Sequence, residues 1–126
     1  MLIPIAYWDV PAMWDEVASH LQRALDRQHK LRAADVKSYC EQNLMQLWHV
    51  PGHGAFVTQI QNYPLCRVCL LLLCGGAGME FKRELQDGLE AYARAMRCDE
   101  IEIQGRRGWL RVTGYEETHI VMRKKL

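Results

Sequence analysis

The sequence lacks most of the features that assign a chain to a class at sight. It has no strong charge of either sign: 16 Lys and Arg against 15 Asp and Glu leave a formal net charge of +1. Such a balance gives no global field toward nucleic acid or anionic membrane. It lacks a long apolar run; the longest, Val68 to Cys74 with its neighbours, falls far short of a membrane span. The opening MLIPIAYWDV has no basic region and no cleavage site, so no signal peptide is expected. Five cysteines make an odd number without framework spacing, which points to buried thiols in a reducing cytosol. There is no repeat, no low-complexity tract and no linker. No Ser-His-Asp or Cys-His-Asn signature is readable.

What is present is a soluble globular profile, 49% hydrophobic and 25% charged over 126 residues. That length fits one domain, 1–126, with a core large enough to stand without disulfides or metal. Met1 to Tyr7 reads as a first strand. Asp9 is placed to cap a helix, and Pro11 sits in its first turn. Val10, Met13, Trp14, Val17, Leu21 and Leu25 then recur at helical spacing. A shorter helix is expected over Ala33 to Asn43. Met45 to Val50 and Ala55 to Gln61 read as strands joined by the turn Pro51-Gly52-His53-Gly54. Arg67 to Leu73, apolar after its arginine, has the pattern of a central strand covered on both faces. Phe81, Leu85, Leu89, Tyr92, Ala93 and Met96 mark a long amphipathic helix. Asp99 to Gln104 is a strand, Trp109 to Val112 a short helical turn, and Glu117 to Met122 an expected last strand.

Between the apolar strand and the long helix stands CGGAGMEFKREL. A strand, a glycine turn and a helix start are the parts of a phosphate cradle, and also of an ordinary strand-to-helix turn. The order of elements resembles the GNAT superfamily of acetyl-coenzyme A dependent N-acetyltransferases over nearly the whole chain. The stretches MQLWHV, GAFVTQIQNYP, CRVCLLLLCGGAGM and DEIEIQGRRGWLRVTGYEETHIVMRKKL further resemble small GNAT-like proteins of tailed bacteriophages. The resemblance implies an α/β (α+β) fold: a mixed, mostly antiparallel sheet of about six strands with helices on both faces. It also implies acetyl-coenzyme A as cofactor, held through its pyrophosphate by a Q/R-x-x-G-x-G/A motif.

On this chain Gly76 and Gly78 match the two glycines of that motif, with Leu73 where Gln or Arg belongs. Cofactor-binding residues implied in this way are Leu72, Leu73, Cys74, Gly75, Gly76, Ala77 and Gly78. Leu72 to Cys74 would offer the backbone donor to the thioester carbonyl. Glu80 puts a negative charge in the first helical turn, where phosphate would sit. The family's general acid is a Tyr on the short fourth helix; here Trp109 stands on that helix, and Tyr115 follows it as a weak catalytic candidate or a packing aromatic. Glu100 and Glu102 share a face of the fifth strand and read as edge carboxylates.

Two functions stand from different classes; Leu73 in place of Gln or Arg, the absent helix Tyr and the acidic Glu80 favour the second, and the intact glycines the first. In one, the chain is an acetyltransferase that moves acetyl to an amine. In the other, it is a GNAT-fold phage protein without catalysis, a virion or assembly component or a binder of a host protein. That role would place it in the cytoplasm of an infected bacterium and in the virion. Arg106, Arg107, Trp109 and Arg111 are the candidate partner-binding residues. Remaining features are weaker. Cys66-x-x-Cys69 lies in a strand, where residues three apart point to opposite faces, so it is read as packing and not as a metal site. Cys74 beside the helix start is a candidate low-pKa thiol. His49 and His53 are expected to be surface or turn histidines, and no metal is expected.

Overall fold

A computed structural model describes all 126 residues. Five strands form one sheet in the order β1 to β5: β1 is Ile3–Ile5, β2 Gln46–Val50, β3 Gly54–Asn62, β4 Arg67–Gly76 and β5 Glu100–Ile103. The first four are antiparallel neighbours, and β5 runs parallel to β4. Four helices complete the chain: α1 Val10–Asp26, α2 Ala33–Glu41, α3 Met79–Ala95 and α4 Gly108–Thr113.

Burial follows the periodicity. Val10, Trp14, Val17, Leu21 and Leu25 are the buried stripe of α1. With Val36 and Cys40 of α2 they cover one sheet face, against Leu47, Ala55, Val57 and Leu73. Phe81, Leu85, Leu89 and Ala93 of α3 cover the other, against Trp48, Val50, Phe56, Cys69 and Leu71. Trp48 stacks on Phe56 and meets Tyr92 edge-on. Its indole N–H donates to Thr58 Oγ1 at 3.0 Å, so the one polar atom of a buried ring has a partner.

Leu71 and Leu73 lie two apart yet belong to opposite cores. The cause is a bulge: Thr58 pairs with Leu71 and Val57 with Leu73, which leaves Leu72 as an extra residue of β4. Beyond it the side chains exchange faces. Gly75 therefore meets α1 and Gly76 meets α3.

Arg67 fastens the start of β4. Its N–H donates to Asp99 Oδ2, its Nε to the Met96 carbonyl and its Nη1 to Asn62 Oδ1. Asp9 precedes α1 as expected, but its side chain makes no capping hydrogen bond, while Pro11 sits in the first turn. The expected last strand, Glu117 to Met122, does not form. Residues 115–126 make no backbone-to-backbone hydrogen bond, and the sheet has five strands where about six were expected. No helix is long and apolar enough to cross a membrane.

Candidate acyl-coenzyme A site

The parallel pairing of β4 with β5 covers only Val68 to Leu71, opposite Glu100 to Ile103. From the Leu72 bulge to Gly76, β4 has no strand on its β5 side. This free backbone edge leads directly into the start of α3. No side chain caps that helix, and Lys82 is the first residue to donate back, to Gly78 O at 3.3 Å. The amides ahead of it carry the positive end of the helix dipole. Strand edge and helix start follow one another along Leu72 to Phe81 and form a row of backbone polar groups.

The glycines in that row have separate causes. A Cβ on Gly75 would land on the backbone carbonyl of His20 in α1. A Cβ on Gly76 would lie 2.6 Å from the Phe81 ring and 2.8 Å from the His53 carbonyl. Both are packing glycines. Gly78 has nothing within 4 Å of such a position, but adopts φ +92°, ψ 160°, a conformation kept almost wholly to glycine. It alone leaves open space in front of the helix.

The turn between β2 and β3 closes one side of the row. Ala77 N–H donates to the His53 carbonyl at 3.2 Å, so one donor of the glycine motif is already engaged. Glu80 Oε2 lies 3.7 Å from His53 Nε2, with both side chains about half exposed. The carboxylate noted in the sequence thus has a histidine beside it.

Cys74 does not have the environment of a reactive thiol. Burial pushes it up to about 12, as it does Cys69 and Cys40. The expectation of a lowered thiol pKa at the helix start is corrected: Cys74 lies within the end of β4, packed toward the α3 core.

Tyr115 is partly buried, and its hydroxyl donates to Glu90 Oε2 at 3.0 Å. Burial first, then the Glu90 carboxylate, pushes its ionisation well above the ordinary range. Glu90 is about 16 Å along α3 from its first residue, so Tyr115 sits at the far end of that helix from the glycine turn. Trp109 packs against the α3 core, beside Gly105, and is a lid on that core more than an exposed anchor. Arg107 pairs with Glu117 at 3.0 Å, while Arg106 and Arg111 are exposed and make no ion pair.

His49 corrects another expectation. It is 2% exposed, faces α1, and its Nε2 has no hydrogen-bond partner. His20 of α1 lies beside it, ring centroids 5.7 Å apart. Neither composition nor turn signals could distinguish it from a surface histidine; its alternation with Leu47, also buried toward α1, could. No group of three His, Cys, Asp or Glu side chains comes together to hold a metal.

No protein-family model matches the chain, and no curated protein is similar to it in sequence. Solved structures do match. One is a probable acetyltransferase, 10% identical, with TM-score 0.73 over 100% of this chain and 97% of that one. A second is a predicted acetyltransferase from Clostridium acetobutylicum with acetyl-CoA, 11% identical, TM-score 0.71, covering 99% and 95%. A third is an aminoglycoside acetyltransferase from an uncultured soil metagenomic sample in complex with sisomicin, 13% identical, TM-score 0.68, covering 100% and 95%. At such identities the likeness is one of architecture, and the chain has the GNAT-like fold of these acetyltransferases.

Proposed function

We propose that the protein is an N-acetyltransferase that takes acetyl-coenzyme A as its acyl donor and an amine as acceptor. The observation that carries this reading is the free edge of β4 beyond the Leu72 bulge, followed after the engaged Ala77 amide by the uncapped start of α3. The backbone fits the donor molecule in kind: amides at a helix start suit a pyrophosphate, and strand amides suit a thioester carbonyl. In this reading the Met79 to Phe81 amides, with Gly78 leaving them open, hold the pyrophosphate. Donors from Leu72 to Cys74 polarise the carbonyl. The amine nitrogen attacks the carbonyl carbon and gives up a proton to water, the C–S bond breaks, and the thiolate leaves. With Tyr115 bonded to Glu90 and Trp109 on the short helix, that thiolate takes its proton from water.

A second reading draws on the engaged Ala77 amide and the acidic first turn at Glu80. Here the fold is kept without catalysis, and the protein serves as a virion or assembly component or binds a host protein. The exposed Arg106 and Arg111, with Arg107 and Trp109 beside them, would then face a phage structural or host partner.

Calorimetric titration with acetyl-coenzyme A separates the two. The wild type is expected to bind, and Glu80→Gln to bind roughly fivefold tighter as a helix-start carboxylate is removed. Met79→Glu adds a carboxylate at an exposed position, favourable to the helix itself, and is expected to weaken binding by a similar factor. Acetylation of an amine panel by the same sample would support the enzyme. No heat and no thermal shift would sink it, and binding without transfer would favour the second reading.

A further inference from the structure

The row from Leu72 to Gly78 carries no charged side chain, and the first charge of α3 is the Glu80 carboxylate. Up to that point backbone amides alone would meet a pyrophosphate, which brings two negative charges. A side chain able to add a positive charge comes from the other side of the turn. His53 stands between β2 and β3, and its Nε2 lies 3.7 Å from Glu80 Oε2.

The backbone fixes its place. His53 N–H donates to the Val50 carbonyl at 2.9 Å, and the His53 carbonyl accepts from Ala77 N–H at 3.2 Å. Glycines let the hairpin come this close to the end of β4. A Cβ on Gly54 would lie 2.5 Å from the Gly75 carbonyl, and one on Gly76 would lie 2.8 Å from the His53 carbonyl. The imidazole is thus carried on a pinned backbone at the mouth of α3, while its side chain stays 43% exposed.

The contact with Glu80 is loose. At 3.7 Å it is longer than a hydrogen bond, and a pair this exposed adds little to the fold. Rotation about the side-chain bonds alone can turn the ring to a more highly charged partner. An imidazolium offers a donor on each ring nitrogen, where the neutral ring keeps one. The other groups around His53 do not supply such a switch. Gly52, Gly54, Gly76 and Ala77 carry no charge, and Phe81 of α3 is apolar. His20 of α1 turns its ring to His49 and its carbonyl to Gly75. On α3, Glu80, Lys82 and Arg83 are of types that do not titrate between pH ~5.5 and ~8.

We propose that His53 is a pyrophosphate-binding residue of the acyl-donor site. Its imidazolium leaves Glu80 and donates to a pyrophosphate oxygen, so the donor molecule binds more tightly as pH falls. This role rests on the acetyl-coenzyme A reading; to it is added the residue that supplies the charge, and a charge that pH can remove.

Calorimetry with dephospho-coenzyme A tests it. That ligand keeps the pyrophosphate and lacks the 3′-phosphate monoester, whose own titration falls in the same range. The wild type should bind about tenfold more tightly at pH ~5.5 than at pH ~8, the effect of one charge-assisted hydrogen bond. His53 is exposed, so replacing it leaves the core and the backbone bond to Ala77 in place. His53→Gln should bind at both pH values as weakly as the wild type does at the higher one. His53→Arg, with a permanent charge, should bind tightly at both. His20→Gln should keep the wild-type dependence. An unchanged pH dependence in His53→Gln would overturn the proposal, as would His53→Arg binding no tighter than His53→Gln at the higher pH. Absence of binding in every variant at both pH values would sink the acyl-donor reading itself, and the role of His53 with it.

Discussion

Gly75, Gly76 and Gly78 stand nearly side by side and are glycine for different reasons. Gly75 is where α1 lies against the sheet, and any Cβ there meets a backbone carbonyl that cannot rotate away. Gly75→Ala should therefore cost about 3 kcal/mol or more, at or above the top of the usual overpacking range. Gly78→Ala meets no neighbour, and its cost is the positive φ alone, about 1–3 kcal/mol. Urea denaturation of the two variants should rank them in that order; a reversed order would mean that α1 yields more easily than its packing implies. Thr58 illustrates the same logic for a polar atom. It is fully buried and accepts from Trp48 while donating to Gln46 Oε1 at 3.0 Å. Thr58→Val keeps the shape and strands the indole N–H, a loss of about 1–3 kcal/mol measurable in the same experiment.

Among the elements, β4 carries the most information because one inserted residue organises it. With Leu72 in place, Leu71 faces α3, Leu73 faces α1, and the two packing glycines point to the helices they must admit. Deleting Leu72 would leave Leu73 directly after Leu71, so plain alternation would keep Leu71 toward α3, Leu73 toward α1 and each with its present partner on β3. The shortened chain should therefore keep a cooperative unfolding transition. One residue inserted after Leu73 should instead turn Cys74, Gly75 and Gly76 to the wrong faces and abolish that transition. Loss of cooperativity in the deletion as well would show that the bulge itself, and not the faces it sets, is what folding needs. This is also where sequence reading stopped short. Helical periodicity located α1 and α3 almost to the residue, and turn chemistry located the β2–β3 hairpin, since both signals are local. The run of leucines at 70–73 hides a bulge because every face it offers is apolar. The glycines at 75 and 76 were read as part of the turn and belong to the strand. The C-terminal tail has the alternation and β-branched residues of a strand, but a strand also needs an edge to pair with, and that is settled by the rest of the molecule. Of the candidate site, the glycine turn and Glu80 were legible; the engagement of both by His53 was not, because it joins residues far apart in sequence.

For the whole molecule, the two cores on either side of the sheet differ in one respect that pH should expose. The α3 core has its buried polar atom satisfied by Thr58, whereas the α1 side holds His49 with an unpartnered Nε2. On β1 and β3 its neighbours in the sheet are Ile3 and Ala55, which carry no charge. From α1 it faces Glu16 and His20. Burial is the largest influence and holds its pKa below the usual histidine range; Glu16 opposes this in part, and His20 adds to it. A depressed pKa means that the unfolded chain binds the proton more readily than the folded one. The stability from keeping His49 neutral is thus complete above the unfolded value of about 6.5, and it is lost as pH falls through the folded value. Between pH 7.5 and 5 the melting temperature of the wild type should fall. His49→Leu removes both the titration and the unpaired nitrogen, so it should melt higher at neutral pH and change less over the same window. Since α1 spans this whole face, the loss should appear in one cooperative transition that includes the α3 core. A His49→Leu curve parallel to that of the wild type would assign the acid sensitivity to other groups, and the exposed histidines His29, His53 and His119 would be the next to replace.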